Sequence, residues 1–359
     1  MPSITLEQAL YHRPDRQSPT LVARSPGFDD AWLPDAERMA LGFGDRTHGL
    51  PCPLTVFALP IGSKHVAVVR VIDATAGFPT GLRFHFLVVE RKIYDLGIRD
   101  PFHLAEKIEP TWDAKDPMPT LMLAQETFSW RTLEQVQAVL KRIKAAALKE
   151  GEDPEAPDFE RTVENSESPA LLGGAQILVD GGRLAFERQQ GDLRMVAGLW
   201  LLLPEATRCR LWPTSFAFSS DLEFDVLVLP QLEGAALEGY TTEDQAADYP
   251  EGAYELALQR AVEHGDQRDL DAVFSKRDGR QTIRLAIGIL LVVSALVLFT
   301  RWLDFGGPHT PVSQPLSAQQ QQTAAAAGIV AAGAEPWTAV GMIVHGKTIW
   351  KGDANHGAK

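Results

Sequence analysis

Cysteine is scarce in this 359-residue chain, which contains Cys52 and Cys209 and no others. One disulfide is possible, but two cysteines are too few for the framework of a disulfide-rich secreted domain. Neither cysteine belongs to a Cys-x-x-Cys pair, so we expect no cysteine-based zinc site. The first twenty residues have no apolar run behind a basic start. We therefore expect no cleavable signal peptide.

Basic residues and nucleotide-binding motifs are also in short supply. The chain has 34 Lys and Arg against 47 Asp and Glu, a net charge of −13, which argues against nucleic acid as a partner. No Gly-x-x-x-x-Gly-Lys-Ser/Thr motif is present, and Gly42-Phe43-Gly44 lacks the rest of a dinucleotide loop. Gly173-Gly174 and Gly181-Gly182 are typical of turns. We predict no cofactor.

The chain does contain one long uncharged apolar stretch, residues 285–300. Eleven of its sixteen residues are Leu, Ile, Val or Phe. A helix over 283–303 is about 31 Å long, which is enough to cross a bilayer core. Its aliphatic side chains favour insertion by about −3 to −6 kcal/mol. We therefore predict a membrane-spanning helix at 283–303, called the anchor segment below; the alternative is a buried core helix.

The charges beside the anchor segment predict its orientation. Four basic residues lie between 276 and 284, before the uncharged stretch 285–300, and Arg301 follows that stretch. Excess Lys and Arg belong on the cytoplasmic side, so the preceding body should be cytoplasmic. The residues expected to hold the helix in the lipid bilayer are apolar in the middle and basic or aromatic at the ends: Arg284, Leu285, Leu291, Leu298, Phe299, Arg301 and Trp302.

Residues 1–150 are predicted to form an N-terminal α+β domain. The first fifty residues show few clear periods beyond a short helix near 35–41. Three apolar runs follow, at residues 54–59, 65–73 and 82–90. Short links join them, and sequential strands with short links favour an antiparallel sheet. A further strand is predicted at 118–122. Asp100-Pro101 is typical of a helix start, and residues 131–150 predict a helix with Thr132 and Gln135 as its capping box.

An acidic linker is predicted at 151–168, because residues 150–167 hold eight carboxylates against one Arg. A second α+β domain should follow at 169–276. Within it, Asp180-Gly181-Gly182-Arg183 predicts a hairpin between strands at 176–179 and 184–186. Strands are also expected at 214–218 and 224–229, and helices at 193–203, 250–262 and 266–274.

The predicted fold class is therefore α+β: two cytoplasmic domains with antiparallel sheets, followed by one transmembrane helix. Residues 304–359 contain a glutamine run and an alanine-rich run. That composition predicts a low-complexity tail.

Candidate chemistry in this sequence is thin. Cys52 is a possible thiol nucleophile, His85 and Asp100 a possible acid–base pair, and His65, His85 and His103 a possible metal site. None has a diagnostic spacing. We expect an inert Cys52 and a half-exposed surface His85, and we assign no catalytic, cofactor-binding or metal-binding residues.

Two stretches resemble a known family. Gln8-Ala9-Leu10-Tyr11 with Ala23-Arg24-Ser25-Pro26-Gly27 resembles the opening of the N-terminal domain of bacterial GTPase-associated proteins. Residues 203–211, Leu-Pro-Glu-Ala-Thr-Arg-Cys-Arg-Leu, with Thr214-Ser215-Phe216 are similar to the start of that family's middle domain. The resemblance implies a bacterial protein that works beside small GTPases, and it transfers no catalytic residue. Ending in a membrane anchor departs from the family pattern.

These features together predict a membrane-anchored adaptor or scaffold at the bacterial inner membrane, whose partners are proteins, a GTPase among them. One alternative is a membrane-tethered hydrolase that uses Cys52 or a His/Asp pair. Another is a subunit of a transport or secretion complex, because Gly288, Ser294 and Ala295 are small enough for close helix contact.

Overall fold

The computed structural model describes residues 3–47, 49–74, 80–112, 117–124, 128, 131–149, 168–232, 237–275 and 290–296. The chain divides into two compact units, Met1–Leu290 and Leu291–Lys359. Within the first unit, antiparallel strands and helices give an α+β architecture, as the sequence predicts at that level.

An antiparallel sheet of six strands occupies the first half of the chain. Its strands are β1 (Ser3–Pro14), β2 (Thr20–Arg24), β3 (Thr55–Ile61), β4 (His65–Asp73), β5 (Gly81–Glu90) and β6 (Leu121–Ala124). The order is β2-β1-β5-β4-β3, and β6 pairs with the start of β1. The three central predictions are confirmed as β3, β4 and β5. The strand expected at 118–122 begins three residues later, and β1 and β2 were not predicted.

Both faces of this sheet are covered, so β5 is buried along almost its whole length. On one face, Phe84 lies edge-on to Phe43, which directly follows helix α1 (Leu33–Gly42). A one-turn helix, α2 (Arg91–Ile93), and a π-helical turn (Tyr94–Ile98) come directly after β5. Helix α3 (Pro101–Lys107) contacts β3 and β4.

Helix starts in this half follow the predicted capping chemistry. Asp100 Oδ1 accepts hydrogen bonds from the backbone N–H groups of Phe102 and His103, both at 3.0 Å. At the start of α4 (Leu133–Lys149), Thr132 and Gln135 exchange the two hydrogen bonds of a capping box. Satisfying these N–H groups stabilises each helix by about 1 kcal/mol.

A second, three-stranded sheet lies further along the chain. Its strands are β7 (Arg183–Glu187), β8 (Val226–Leu229) and β9 (Tyr240–Thr242), in the order β8-β7-β9. All its pairings are parallel, so the predicted antiparallel sheet for this region is wrong. The connection from β7 to β8 contains α6 (Leu193–Leu202) and α7 (Glu205–Arg208). A long helical crossover returns the chain to the same end of the sheet, and the next strand is then parallel.

The hairpin predicted at 176–186 is also wrong. Its first strand is part of a helix, α5 (Leu171–Asp180), and its second is β7. Gly181 ends the helix with φ of 91°, and the Gly182 N–H donates to Ile177 O at 2.9 Å. A glycine in this left-handed conformation is the usual C-terminal cap of a helix. The Gly-Gly pair is therefore a helix cap here.

The remaining helices of this half match the sequence pattern more closely. The predicted helix at 193–203 is confirmed as α6, and Asp192 caps it by accepting from the Met195 N–H at 2.8 Å. The helices expected at 250–262 and 266–274 are confirmed, with shifted ends, as the last two of three: α8 (Glu243–Ala247), α9 (Ala253–His264) and α10 (Gln267–Ser275).

One short segment, residues 213–215, pairs with strands of both sheets. On one side, Ala58 N–H of β3 donates to Pro213 O at 3.1 Å, and Ser215 N–H donates to Val56 O at 3.0 Å. On the other, Thr214 N–H donates to Val226 O of β8 at 2.9 Å. Backbone pairing thus continues from the first sheet into the second. The predicted strand at 214–218 is reduced to isolated bridges.

The predicted linker at 151–168 lies outside the described residues, except Ser168. Of the anchor segment, the structure describes residues 290–296, which are helical. Among described helices, none is both long and apolar enough to cross a membrane. Leu291 is therefore described, whereas the other predicted anchor residues lie outside the described residues: Arg284, Leu285, Leu298, Phe299, Arg301 and Trp302.

Candidate functional site

A row of buried polar side chains crosses the face of the first sheet opposite Phe84. His85 lies in its middle and is fully buried. Its Nδ1 lies 2.9 Å from Nη2 of Arg70, and its Nε2 lies 2.9 Å from Oε1 of Gln8. A guanidinium only donates, so Nδ1 is the acceptor and Nε2–H donates to Gln8. Gln8 donates onward to Pro119 O at 2.6 Å.

This row keeps His85 uncharged. Burial, and secondly the positive charge of Arg70, lower the pKa of His85 from 6.5 to about 3. The neutral imidazole is what Arg70 requires as its acceptor. The expectation of a half-exposed surface histidine is therefore wrong, although the side chain does face away from Phe84 and Phe86 as its strand position predicts.

Arg70 reaches from β4 to the C-terminal end of α3. Its Nη1 donates to Ala105 O at 3.1 Å and also to Ile108 O. The last carbonyls of a helix have no partner within the helix and carry partial negative charge, so a cation is favourable there. Burial still lowers the pKa of Arg70 to about 10. Arg70 remains a cation at neutral pH.

A cavity of about 530 Å³ lies beside Arg70. Its wall comes from the chain before and within β3, from α3 and the turn that follows it, and from the first residue of α6. That wall is mostly apolar and includes Leu54, Val56, Phe102, Ala105, Ile108 and Leu193. Exposed charged residues from the end of α3 and the turn that follows it also border the cavity: Glu106, Lys107 and Glu109.

Cys52 lies apart from this cavity in the described structure. Its side chain is buried, and Sγ contacts Pro53 O at 3.5 Å, while the backbone N–H donates to Asp73 Oδ2 at 2.9 Å. Burial, followed by the charge of Asp73, raises the thiol pKa to about 12. A nucleophilic cysteine needs electropositive, partly exposed surroundings that lower the pKa of its thiol. Cys52 and Cys209 are both free thiols.

The other candidate residues have separate surroundings. His65 packs against the Trp32 ring with centroids 4.6 Å apart. Nδ1 of His103 lies 3.7 Å from Oε2 of Glu106. Asp100 caps α3 and accepts from Arg208 Nη2 at 2.7 Å. Within the described ranges, no three His, Cys, Asp or Glu side chains form a metal-ligand group. The suggested histidine metal site is therefore not assembled.

Arg70 was not singled out from the sequence, although a signal is present. It interrupts the run His-Val-Ala-Val-Val-Arg-Val-Ile-Asp of β4. A charged residue inside an otherwise apolar strand is seldom buried without a specific partner. Its partners come from two other places in the chain, His85 in β5 and the carbonyls of Ala105 and Ile108 at the end of α3, and no local pattern connects them to Arg70.

Comparison of the chain with protein-family models, and with curated proteins, finds no match. The resemblance to GTPase-associated proteins therefore remains a prediction that rests on its short motifs.

Proposed function

We propose that this chain is a bacterial inner-membrane adaptor, held by the anchor segment, whose cytoplasmic body binds partner proteins. The family resemblance suggests a small GTPase as the partner to test first. The anchor segment supplies the supporting observation. Five aliphatic side chains between 290 and 296 are 54–65% exposed: Leu290, Leu291, Val292, Val293 and Leu296.

The arrangement of these side chains favours lipid over water. At about 100° per residue, they project in all directions around the helix axis. A surface helix of a water-soluble protein exposes polar residues on at least one face, whereas a helix that is apolar all round belongs in a membrane or a core. Exposed aliphatic residues at five of seven positions therefore support a membrane anchor.

The hydrolase alternative needs two candidate groups within hydrogen-bond reach of each other in one cleft. Cys52, His65 and His85 each have other neighbours, and the Cys52 thiol is held protonated by burial. No geometric observation supports that alternative over the adaptor.

Membrane extraction tests the anchor. The full chain should remain in the pellet after carbonate treatment. Val292→Asp with Val293→Asp should move it to the supernatant, because each central carboxylate costs about 2.5–3.5 kcal/mol of insertion. Leu96→Asp, at a position 63% exposed in the body, should leave it in the pellet. A soluble wild-type chain would remove the basis of the proposal.

Orientation and partner binding need separate measurements. A reporter fused after Lys359 should behave as external, and one fused before Ser3 as cytoplasmic. The full chain in lipid nanodiscs should then bind a purified small GTPase in one nucleotide state and not the other. Equal retention by empty nanodiscs, or no retention by any tested GTPase, would count against a GTPase partner.

A further inference from the structure

We propose that the cavity beside Arg70 binds a small amphiphile with an apolar chain and a single carboxylate. None of the residues that line this cavity in the described structure belongs to the anchor segment. The proposal rests on the charge of Arg70, the donors it retains, and the composition of the wall and rim.

Within the described residues, Arg70 lacks the ion pair that a comparable buried arginine, Arg13, makes. Arg13 is equally buried and also donates to carbonyls at a helix end, those of Ala40 and Leu41 in α1. Arg13 also has a carboxylate, Asp45, at 3.7 Å. For Arg70 no carboxylate lies within ion-pair distance in the described part of the chain. Its contacts are carbonyls and a neutral imidazole, which leave a full positive charge without a counterion.

Arg70 also retains hydrogen-bonding capacity. A guanidinium has five N–H donors. Nη1 donates to the carbonyls of Ala105 and Ile108, and Nη2 donates to His85, but the buried Nε has no hydrogen-bond partner among the residues that the structure describes. A buried donor without an acceptor is destabilising, and a bound acceptor would remove that cost. Carboxylates and phosphates both accept from adjacent guanidinium donors in a bidentate arrangement, so Arg70 suits an oxyanion of either kind.

The wall determines the rest of the ligand. A volume of about 530 Å³ is within the range of about 300–1,000 Å³ for small-molecule sites. Phe102, Ala105 and Ile108 give it an apolar surface that suits a short hydrocarbon chain. Glu106 and Glu109 at the rim outweigh Lys107, so a ligand with several negative charges is repelled. The rim charge therefore disfavours nucleotide polyphosphates and favours a monoanionic amphiphile.

Octanoate titrated into the full chain in lipid nanodiscs tests the proposal by calorimetry. Empty nanodiscs correct for partitioning into lipid. Octanoate should give saturable binding, and uncharged 1-octanol should bind at least about tenfold more weakly, because it offers Arg70 no charged acceptor. Equal affinities, or no saturable octanoate binding, would overturn the proposal.

Matched variants locate the site. Leu54 lines the cavity and is 50% exposed, so Leu54→Trp should block octanoate binding without disturbing the core. Leu96→Trp, at an exposed position outside the cavity, is the control. Glu109→Gln on the exposed rim should tighten binding at low salt and lose that advantage at high salt. Unchanged affinity in both Leu54→Trp and Glu109→Gln would show that octanoate binds elsewhere.

Discussion

Arg208 donates through Nη2 to Oδ2 of Asp100 at 2.7 Å, although 108 positions separate the two residues. The Asp100 side chain also caps α3 through its other oxygen. One carboxylate therefore starts a helix of the first half and holds an arginine of α7 in the second. Both side chains are largely buried, at 17% and 6% exposure.

Arg208→Met should destabilise the fold by about 3–5 kcal/mol, because it leaves Asp100 buried and unpaired. Arg24→Met breaks the more exposed pair with Asp30 and should cost about 1 kcal/mol or less. Urea unfolding of the solubilised chain, followed by tryptophan fluorescence, measures both. If the two variants lost similar amounts of unfolding free energy, burial would not explain the contribution of the Asp100–Arg208 pair.

We expect the buried neutral His85 to lower the free energy of unfolding as the pH falls. Its folded pKa of about 3 lies below the unfolded value of 6.5, so the unfolded chain binds a proton first as pH falls. Its stabilising contribution is complete above pH 6.5 and is lost as pH falls towards 3. Between pH 6 and pH 4, wild type should lose about 1.4 kcal/mol per pH unit more than His85→Asn.

Alkylation should distinguish the two thiols. Burial raises the pKa of both, but Cys52 is more buried than Cys209. With iodoacetamide at pH 8, intact mass should show slow labelling of Cys209, slower labelling of Cys52, and rapid labelling of both in urea. Cys52→Ala should remove the slower site. If Cys52 reacted as fast in the folded chain as in urea, our interpretation of an inert thiol would be wrong.

Limited proteolysis should cut first in the acidic residues 150–167, and the two fragments should then stay together. The reason is the pairing of β3 with residues 213–215, which joins chain on either side of the cut. Denaturing gels should show two fragments that elute as one species in size-exclusion chromatography. Ser215→Pro removes the N–H that bonds Val56 O and should lower the urea concentration at which they separate. Separation of the wild-type fragments without denaturant would contradict this.

The sequence predicts elements well where a local pattern determines them. The regular apolar face and capping box of α4 are readable because every contributing residue lies within a few positions. Strand β1 was missed because Gln8, His12 and Arg13 interrupt its apolar residues, yet all three are buried. The partners of Gln8 and Arg13 are distant in sequence, so the polarity of these residues incorrectly indicated exposure.

The candidate site was less predictable for the same reason. Arg70 lies in a valine-rich run that the sequence shows clearly, but the wall of the cavity also needs β3, α3 and Leu193, which are distant from Arg70 in sequence. The parallel second sheet depends likewise on where the chain returns after α6. The Gly181-Gly182 pair is compatible with a hairpin or a helix cap, and the helix that precedes it decides between them.

The pairing of β3 with residues 213–215 also has a consequence for synthesis on the ribosome. Strand β3 ends at Ile61, and its outer neighbour emerges only after Ser215 has been translated. At roughly 5–20 residues per second, the outer edge of β3 waits on the order of ten to thirty seconds for its partner. An unpaired strand edge is a template for pairing with another chain. Nascent chains on neighbouring ribosomes are therefore most vulnerable to mispairing at β3 during that interval.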